Sequence, residues 1–186
     1  MKFINHSELE GLHAFLGASN YHWLNYDEEK LISVYENLKQ KEKGTELHDF
    51  AKSCINLRQR LPKTRHTLNM YINDAIGYRM SPEVILYFSC NCFGTADSIC
   101  FDGKMLRIHD LKTGTTTASF KQLIIYSAIF CLEYEVDPRT INIELRIYQN
   151  DSVNNYIPQA EEIIDVQEKI KKFDKLLERV NAETYG

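Results

Sequence analysis

Several features that would commit a chain early to one class are missing or scarce here. The five cysteines, at positions 54, 90, 92, 100 and 131, are odd in number and include no Cys-x-x-Cys pair. That excludes a disulfide framework and a zinc ribbon and leaves reduced thiols. No stretch approaches the roughly 18 consecutive apolar residues of a membrane-spanning helix. The opening Met-Lys-Phe-Ile-Asn-His-Ser-Glu has no apolar run of the signal-peptide kind, so the expectation is a cytoplasmic protein with no membrane partner. There is no positive excess either: 22 Lys and Arg against 26 Asp and Glu give a net charge of −4. Nothing draws the whole molecule to a polyanion, and contact with nucleic acid would need a local basic patch. Internal repeats, low-complexity tracts and a Walker phosphate loop are also missing, which removes solenoids and a built-in motor.

What is present reads as one soluble domain over residues 1–186, with 44% hydrophobic and 26% charged residues, enough to bury a core. The first third is helical. Leu9, Leu12, His13, Phe15 and Leu16 share an amphipathic spacing, and residues 27–41 form a second helix. Gly44-Thr45 then punctuates the chain, with Thr45 as the N-cap of a helix over 46–57 that buries Leu47, Phe50, Ala51, Cys54 and Ile55. A further short helix is expected over 64–76. From Glu83 the period changes. Residues 84–92 are rich in β-formers and lead into a hairpin, so three antiparallel strands are expected. Cys90 and Cys92 point to one side of their strand, as packing. The threonines at 115–117 cap a helix over 118–132, with Phe120, Leu123, Ile124, Ser127, Phe130 and Cys131 on its core side. Ile141, Ile143, Leu145 and Ile147 alternate with polar residues as a fourth strand. A C-terminal helix over about 159–182 carries Ile163, Val166, Ile170, Phe173, Leu177 and Val180 at spacings of 3 and 4. That seam packs back onto the domain in preference to pairing between copies.

The chemistry concentrates between Gly94 and Gly114. Asp102-Gly103 suits a type I′ turn, and a two-residue loop pairs Phe101 with Lys104. Asp97 then falls opposite Ile108, with Asp110 diagonal to it on the same face and Lys112 beyond. Alone, an Asp two residues before a Lys on a strand reads as a solvated face. Here Gly94-Thr95-Ala96 permit close backbone approach, and the register brings two carboxylates together. At about 5 Å and an effective dielectric of about 20 they repel by roughly 3 kcal/mol, which calls for a proton or a hard divalent cation. Lys112 adds a charge that can position or deprotonate a water. The densest basic patch, Arg58, Arg60, Lys63 and Arg65 followed by His66, reads either as a solvated face or as phosphate contact.

Four motifs occur in order: Gly44-Thr45-Glu46-Leu47-His48, Gly94-Thr95-Ala96-Asp97, Asp110-Leu111-Lys112-Thr113-Gly114 and Gln122-Leu123-Ile124-Ile125-Tyr126. Together they resemble a PD-(D/E)XK nuclease of the RecB-like branch, which includes phage exonucleases and the Cas nucleases of CRISPR adaptation. The resemblance covers about 44–149; Leu16-Gly17-Ala18-Ser19 with Trp23-Leu24 also resembles the opening of phage-borne members. It implies an α/β, restriction-endonuclease-like mixed sheet flanked by helices, in the order helix, three-stranded antiparallel meander, helix, strand. It also implies that His48, Asp97, Asp110 and the Leu111 carbonyl ligate Mg²⁺ or Mn²⁺, that Lys112 is the catalytic lysine, and that Gln122 and Tyr126 orient it or contact DNA backbone. Without the resemblance, His48 reads as a capping or core histidine, Gln122 as an exposed helix residue and Tyr126 as a core aromatic. The implied activity is metal-dependent DNA hydrolysis, with an exonuclease preferred. A structure-selective or nicking endonuclease and a non-catalytic DNA-binding or assembly module are the alternatives. Phage or bacterial recombination, replication or repair is the implied setting, in a bacterial cell or phage-infected host, with a helicase or other partner as a separate chain. Some relatives hold an iron–sulfur cluster through late cysteines; this chain has none after Cys131, so no cluster is expected.

Overall fold

The computed structural model describes residues 14–185, so the reading of Leu9, Leu12 and His13 falls outside it. Two compact units divide the chain, Met1–Lys43 and Gly44–Gly186. In the first, a 3-10 helix over Ala18–Asn25 follows Gly17, whose carbonyl accepts from the Trp23 indole N–H at 3.1 Å. Phe15 and Tyr35 meet edge to face at 5.1 Å.

The helical assignment of α1 (Glu28–Asn56) is uninterrupted at Gly44-Thr45, where the sequence predicts two helices. Glycine inside a helix costs only about 1 kcal/mol, and here it has a packing reason: a Cβ at Gly44 would lie 2.9 Å from Thr113 Oγ1. Gly44 is a point of close approach, and Thr45 lies inside the helix, not at its N-terminus. Ala51, Cys54 and Ile55 are buried, but Phe50 is 48% exposed.

The second unit is a five-stranded sheet in the order β1-β2-β3-β4-β5: β1 (Ser81–Ser89), β2 (Cys92–Phe101), β3 (Met105–Leu111), β4 (Asn142–Gln149) and β5 (Ser152–Tyr156). All neighbours are antiparallel except β3 and β4, which run parallel. A parallel step needs a crossover, and α3 (Lys121–Glu133) lies in it. The remaining helices are α2 (Thr67–Gly77) and α4 (Ala160–Tyr185). Side-chain alternation along β3 and β4 divides the core into two layers. Leu106 and Ile108 of β3 and Ile143, Leu145 and Ile147 of β4 pack with Leu123, Ile129 and Ile163 of α3 and α4. Leu111 and Tyr148 face the other way, onto Ala51, Cys54 and Ile55 of α1 and Tyr71, Ile72 and Ala75 of α2. The protein is thus α/β, a mixed sheet with helices on both faces. Among the described residues no helix is long and apolar enough to cross a membrane.

Several local readings change. The β-rich run over 84–92 is interrupted: β1 ends at Ser89, Cys90 and Asn91 form a turn, and Cys92 opens β2. Cys90 and Cys92 therefore do not share one strand; all five cysteines are free thiols. The β2–β3 connection is longer than two residues. Phe101 pairs with Leu106, the Asp102 carboxylate accepts from the N–H groups of Lys104 and Met105, and only Gly103 has positive φ, at +93°. The two-residue loop with positive φ at both positions, which defines type I′, is Asn150-Asp151 at +50° and +54°, between Gln149 and Ser152. It closes β5, a strand with no expectation in the sequence. α3 starts at Lys121 behind Phe120, with no threonine cap. The α4 seam packs back at Ile163, Val166 and Ile170, while Phe173, Leu177 and Val180 stay exposed.

Candidate active site

β2 and β3 supply the acidic groups. With Ser98 paired to His109, continuing the ladder by one residue sets Asp97 opposite Asp110, not opposite Ile108. The register differs from the expected one by two, and a shift of two keeps each side chain of β3 on its face. At Asp97 the alternation of β2 breaks: Ala96 packs under α3, whereas Ser98 turns its hydroxyl to Met80 Sδ, 3.7 Å away in the other layer. Opposite Asp97, between the pairs Pro82–Ser98 and Val84–Ala96, Glu83 has φ +48°. With this local change of direction Asp97 meets the end of β3, where its Oδ2 accepts from the Leu111 N–H at 2.8 Å. The Lys112 N–H on the next residue goes to Tyr148 of β4 at 2.9 Å. In an extended strand successive residues alternate edges, so the Leu111 carbonyl points to the Asp97 side as well.

His48 approaches from α1, with Nδ1 at 3.6 Å from Asp97 Oδ2. One turn later Lys52 is ion-paired to Glu83. On β3, Asp110 is 2% exposed; its Oδ1 accepts from Lys112 Nζ at 3.0 Å, and its Oδ2 is buried with no partner. The same Lys112 Nζ donates to Gln122 Oε1 at 3.0 Å, and Gln122 Nε2 donates to the Tyr126 hydroxyl at 2.9 Å. Gln122 and Tyr126 are one turn apart on α3, which brings both to the same face. A relay Asp110–Lys112–Gln122–Tyr126 thus joins the strand to the helix. Tyr126 reaches it only because position 94 is glycine: a Cβ there would stand 2.9 Å from Tyr126 Cε1.

Electrostatics follow from this crowding. Burial, then the neighbouring Asp110, push the Asp97 carboxyl up to about 6, against the opposing pull of His48. Burial also raises Asp110, with Lys112 opposing. Both shifts report anions short of positive charge. Among the described residues no three His, Cys, Asp or Glu side chains form a ready-made metal cluster. One oxygen of each carboxylate is already used, by the Leu111 N–H and by Lys112. The orphaned Asp110 Oδ2, the second Asp97 oxygen, the His48 ring and the Leu111 carbonyl remain, a largely oxygen donor set that fits Mg²⁺ or Mn²⁺.

The structure therefore gathers His48, Asp97, Asp110, Leu111, Lys112, Gln122 and Tyr126 into one place. It leaves Arg58, Arg60, Lys63 and Arg65 on the α1–α2 connection, with no contact to the carboxylates. Four participants escaped the sequence reading. Lys52 shares a helix face with His48, a spacing that could have flagged it. Glu83 carried no local signal. Tyr71, buried from the α2 side, has its hydroxyl pushed up by burial and by the nearby Asp97. Gln149, 5% exposed, donates to the carbonyls of Gly114 and Thr116 and accepts from the Ala118 N–H, so it holds the loop after Lys112. In comparisons with protein-family models, curated proteins and solved structures nothing matches this chain, and the meaning of the site rests on its own geometry.

Proposed function

We propose that this protein is a divalent-metal-dependent deoxyribonuclease that hydrolyses phosphodiester bonds, acting as an exonuclease in phage or bacterial DNA recombination, replication or repair. One observation carries the reading: a buried carboxylate, Asp110, with one oxygen on Lys112 and the other unpartnered beside Asp97. A structural ion pair has no use for the second, orphaned oxygen, whereas a metal-assisted hydrolase does. The order helix, antiparallel meander, crossover helix, parallel strand agrees with the core that the resemblance implies and supports the same reading.

His48, Asp97, Asp110 and the Leu111 carbonyl would hold Mg²⁺ or Mn²⁺, which when bound neutralises charge on the phosphate and acidifies a water. The chain's own residues do the rest. Lys112 sits where it can hold a water or a phosphate oxygen, and Gln122 keeps its ammonium aimed by accepting one of its protons. Tyr126 in turn fixes the Gln122 amide. Positioned groups of this kind contribute factors of about 10²–10⁴ in rate. Any helicase or recombination partner would be a separate chain. The test is incubation with Mn²⁺ of end-labelled linear DNA and of covalently closed circular DNA. Loss of label with the circle intact supports an exonuclease; cutting of the circle replaces it with an endonuclease. Inactivity on every DNA form and metal would favour a DNA-binding or assembly module.

A further inference from the structure

An open cavity of about 620 Å³ lies on the α2 side of the sheet, walled by Arg60, Lys63 and Arg65 together with Asn73, Asp74 and Val153. Its three cations have no carboxylate partner among the described residues. Asp74, the one acid in the wall, is already engaged by Arg146 at 3.1 Å and by the Tyr148 hydroxyl at 2.7 Å. Nor does the connection carrying the cations stand loose. The Asn73 side chain bonds the Leu61 N–H and carbonyl at 3.0 and 2.9 Å, and Asn69 donates to the Pro62 carbonyl and to Thr64 Oγ1. Three like charges held around one concavity repel each other until an anion enters. Guanidinium groups suit phosphate in particular, through their planar pairs of N–H donors.

The position of the cavity connects it to the carboxylates. Leu111 pairs with Tyr148, and Tyr148 with Val153 in the cavity wall. Two strand spacings, about 10 Å, separate the end of β3 from that wall, a span of about three nucleotides of stacked strand. We propose that the cavity binds the phosphodiester backbone of a nucleic-acid strand about three nucleotides away from the bond that lies at Asp97 and Asp110. The identity of the strand rests on the nuclease reading above; the anion site itself does not.

The test is fluorescence anisotropy of a labelled short single-stranded DNA over a series of salt concentrations in EDTA, where no cleavage occurs. The full chain is compared with the triple variant Arg60→Ala/Lys63→Ala/Arg65→Ala and with a control of equal charge loss on α4, Lys171→Ala/Lys172→Ala/Lys175→Ala. All six side chains are exposed, so the fold should persist, as circular dichroism will report. The cavity variant is expected to bind at least tenfold more weakly, with the slope of log K against log salt reduced by about 2, as for the loss of three phosphate contacts. The control keeps most of the affinity. Equal binding by the cavity variant, or equal loss in the control, overturns the proposal. So does displacement of the strand by inorganic phosphate at matched ionic strength, which would assign the site to a free anion. A wild type that binds through the cavity yet never cleaves would defeat the nuclease reading alone.

Discussion

Asp97 and His109 lie on neighbouring strands, and burial moves their protonation in opposite senses for stability. Asp97 titrates near 6 in the fold, above its ordinary 3.8. A carboxyl raised in this way contributes stability that is full below its unfolded value and is lost as pH rises through about 6. The shift of about 2 units corresponds to about 3 kcal/mol. His109 is fully buried, and its pKa falls to about 3 from 6.5 because burial disfavours the charged ring. Its contribution is present above 6.5 and is lost as pH falls toward about 3. Between about pH 4 and 6 the two therefore oppose each other. Urea unfolding over this range, without metal, should show Asp97→Asn gaining on wild type as pH rises. His109→Gln should lose the acid-side decline. Lys112 has a different test. Gln122→Ala removes an acceptor that aims its ammonium but leaves the carboxylates in place. It should slow cleavage about tenfold to a hundredfold, far less than Lys112→Ala.

Among elements, the close approach of β2 to α3 at Gly94 is the most exposed to test. Gly94→Ala puts a methyl into the Tyr126 ring and should cost about 1–3 kcal/mol as overpacking. Adding Tyr126→Leu should recover part of it, a coupling that a double-mutant cycle measures by chemical unfolding. Absence of coupling would mean that Tyr126 does not hold its place against the strand. The elements also show what was legible in the sequence. Period-two alternation located β4, and 3–4 spacing located α3 and α4, because each buries one face. The Asp-Gly turn was given the wrong loop length. Asp97, Asp110 and Lys112 were still brought together, since an error of two residues does not change the face. Gly44 misled because a helix-breaking residue and a close-approach residue look alike until Thr113 is seen above it. β5 went unseen although Asn150-Asp151 is a type I′ pair. The break in alternation at Asp97, opposite Glu83 with its positive φ, could not be read at all, because it depends on the pairing of two strands.

At the scale of the molecule, the carboxylate cluster and the basic cavity lie near the same end of β3 and β4, two strand spacings apart. A cation that binds only the folded chain stabilises it by mass action, by about 2.7 kcal/mol at a hundredfold excess over its Kd. Mn²⁺ should therefore raise Tm by several degrees in wild type and leave Asp110→Asn unmoved. The gain should be larger above pH 6, where Asp97 is ionised. Equal shifts in both proteins would place the bound cation elsewhere. At the centre of the proposed function stands hydrolysis by Asp110 and Lys112. It is tested most directly by release of label from end-labelled linear DNA in Mn²⁺ by wild type, Asp110→Ala and Lys112→Ala at equal folded concentration. Release by wild type and a fall of about a hundredfold or more in each variant are expected; release at the wild-type rate by either variant would contradict that role.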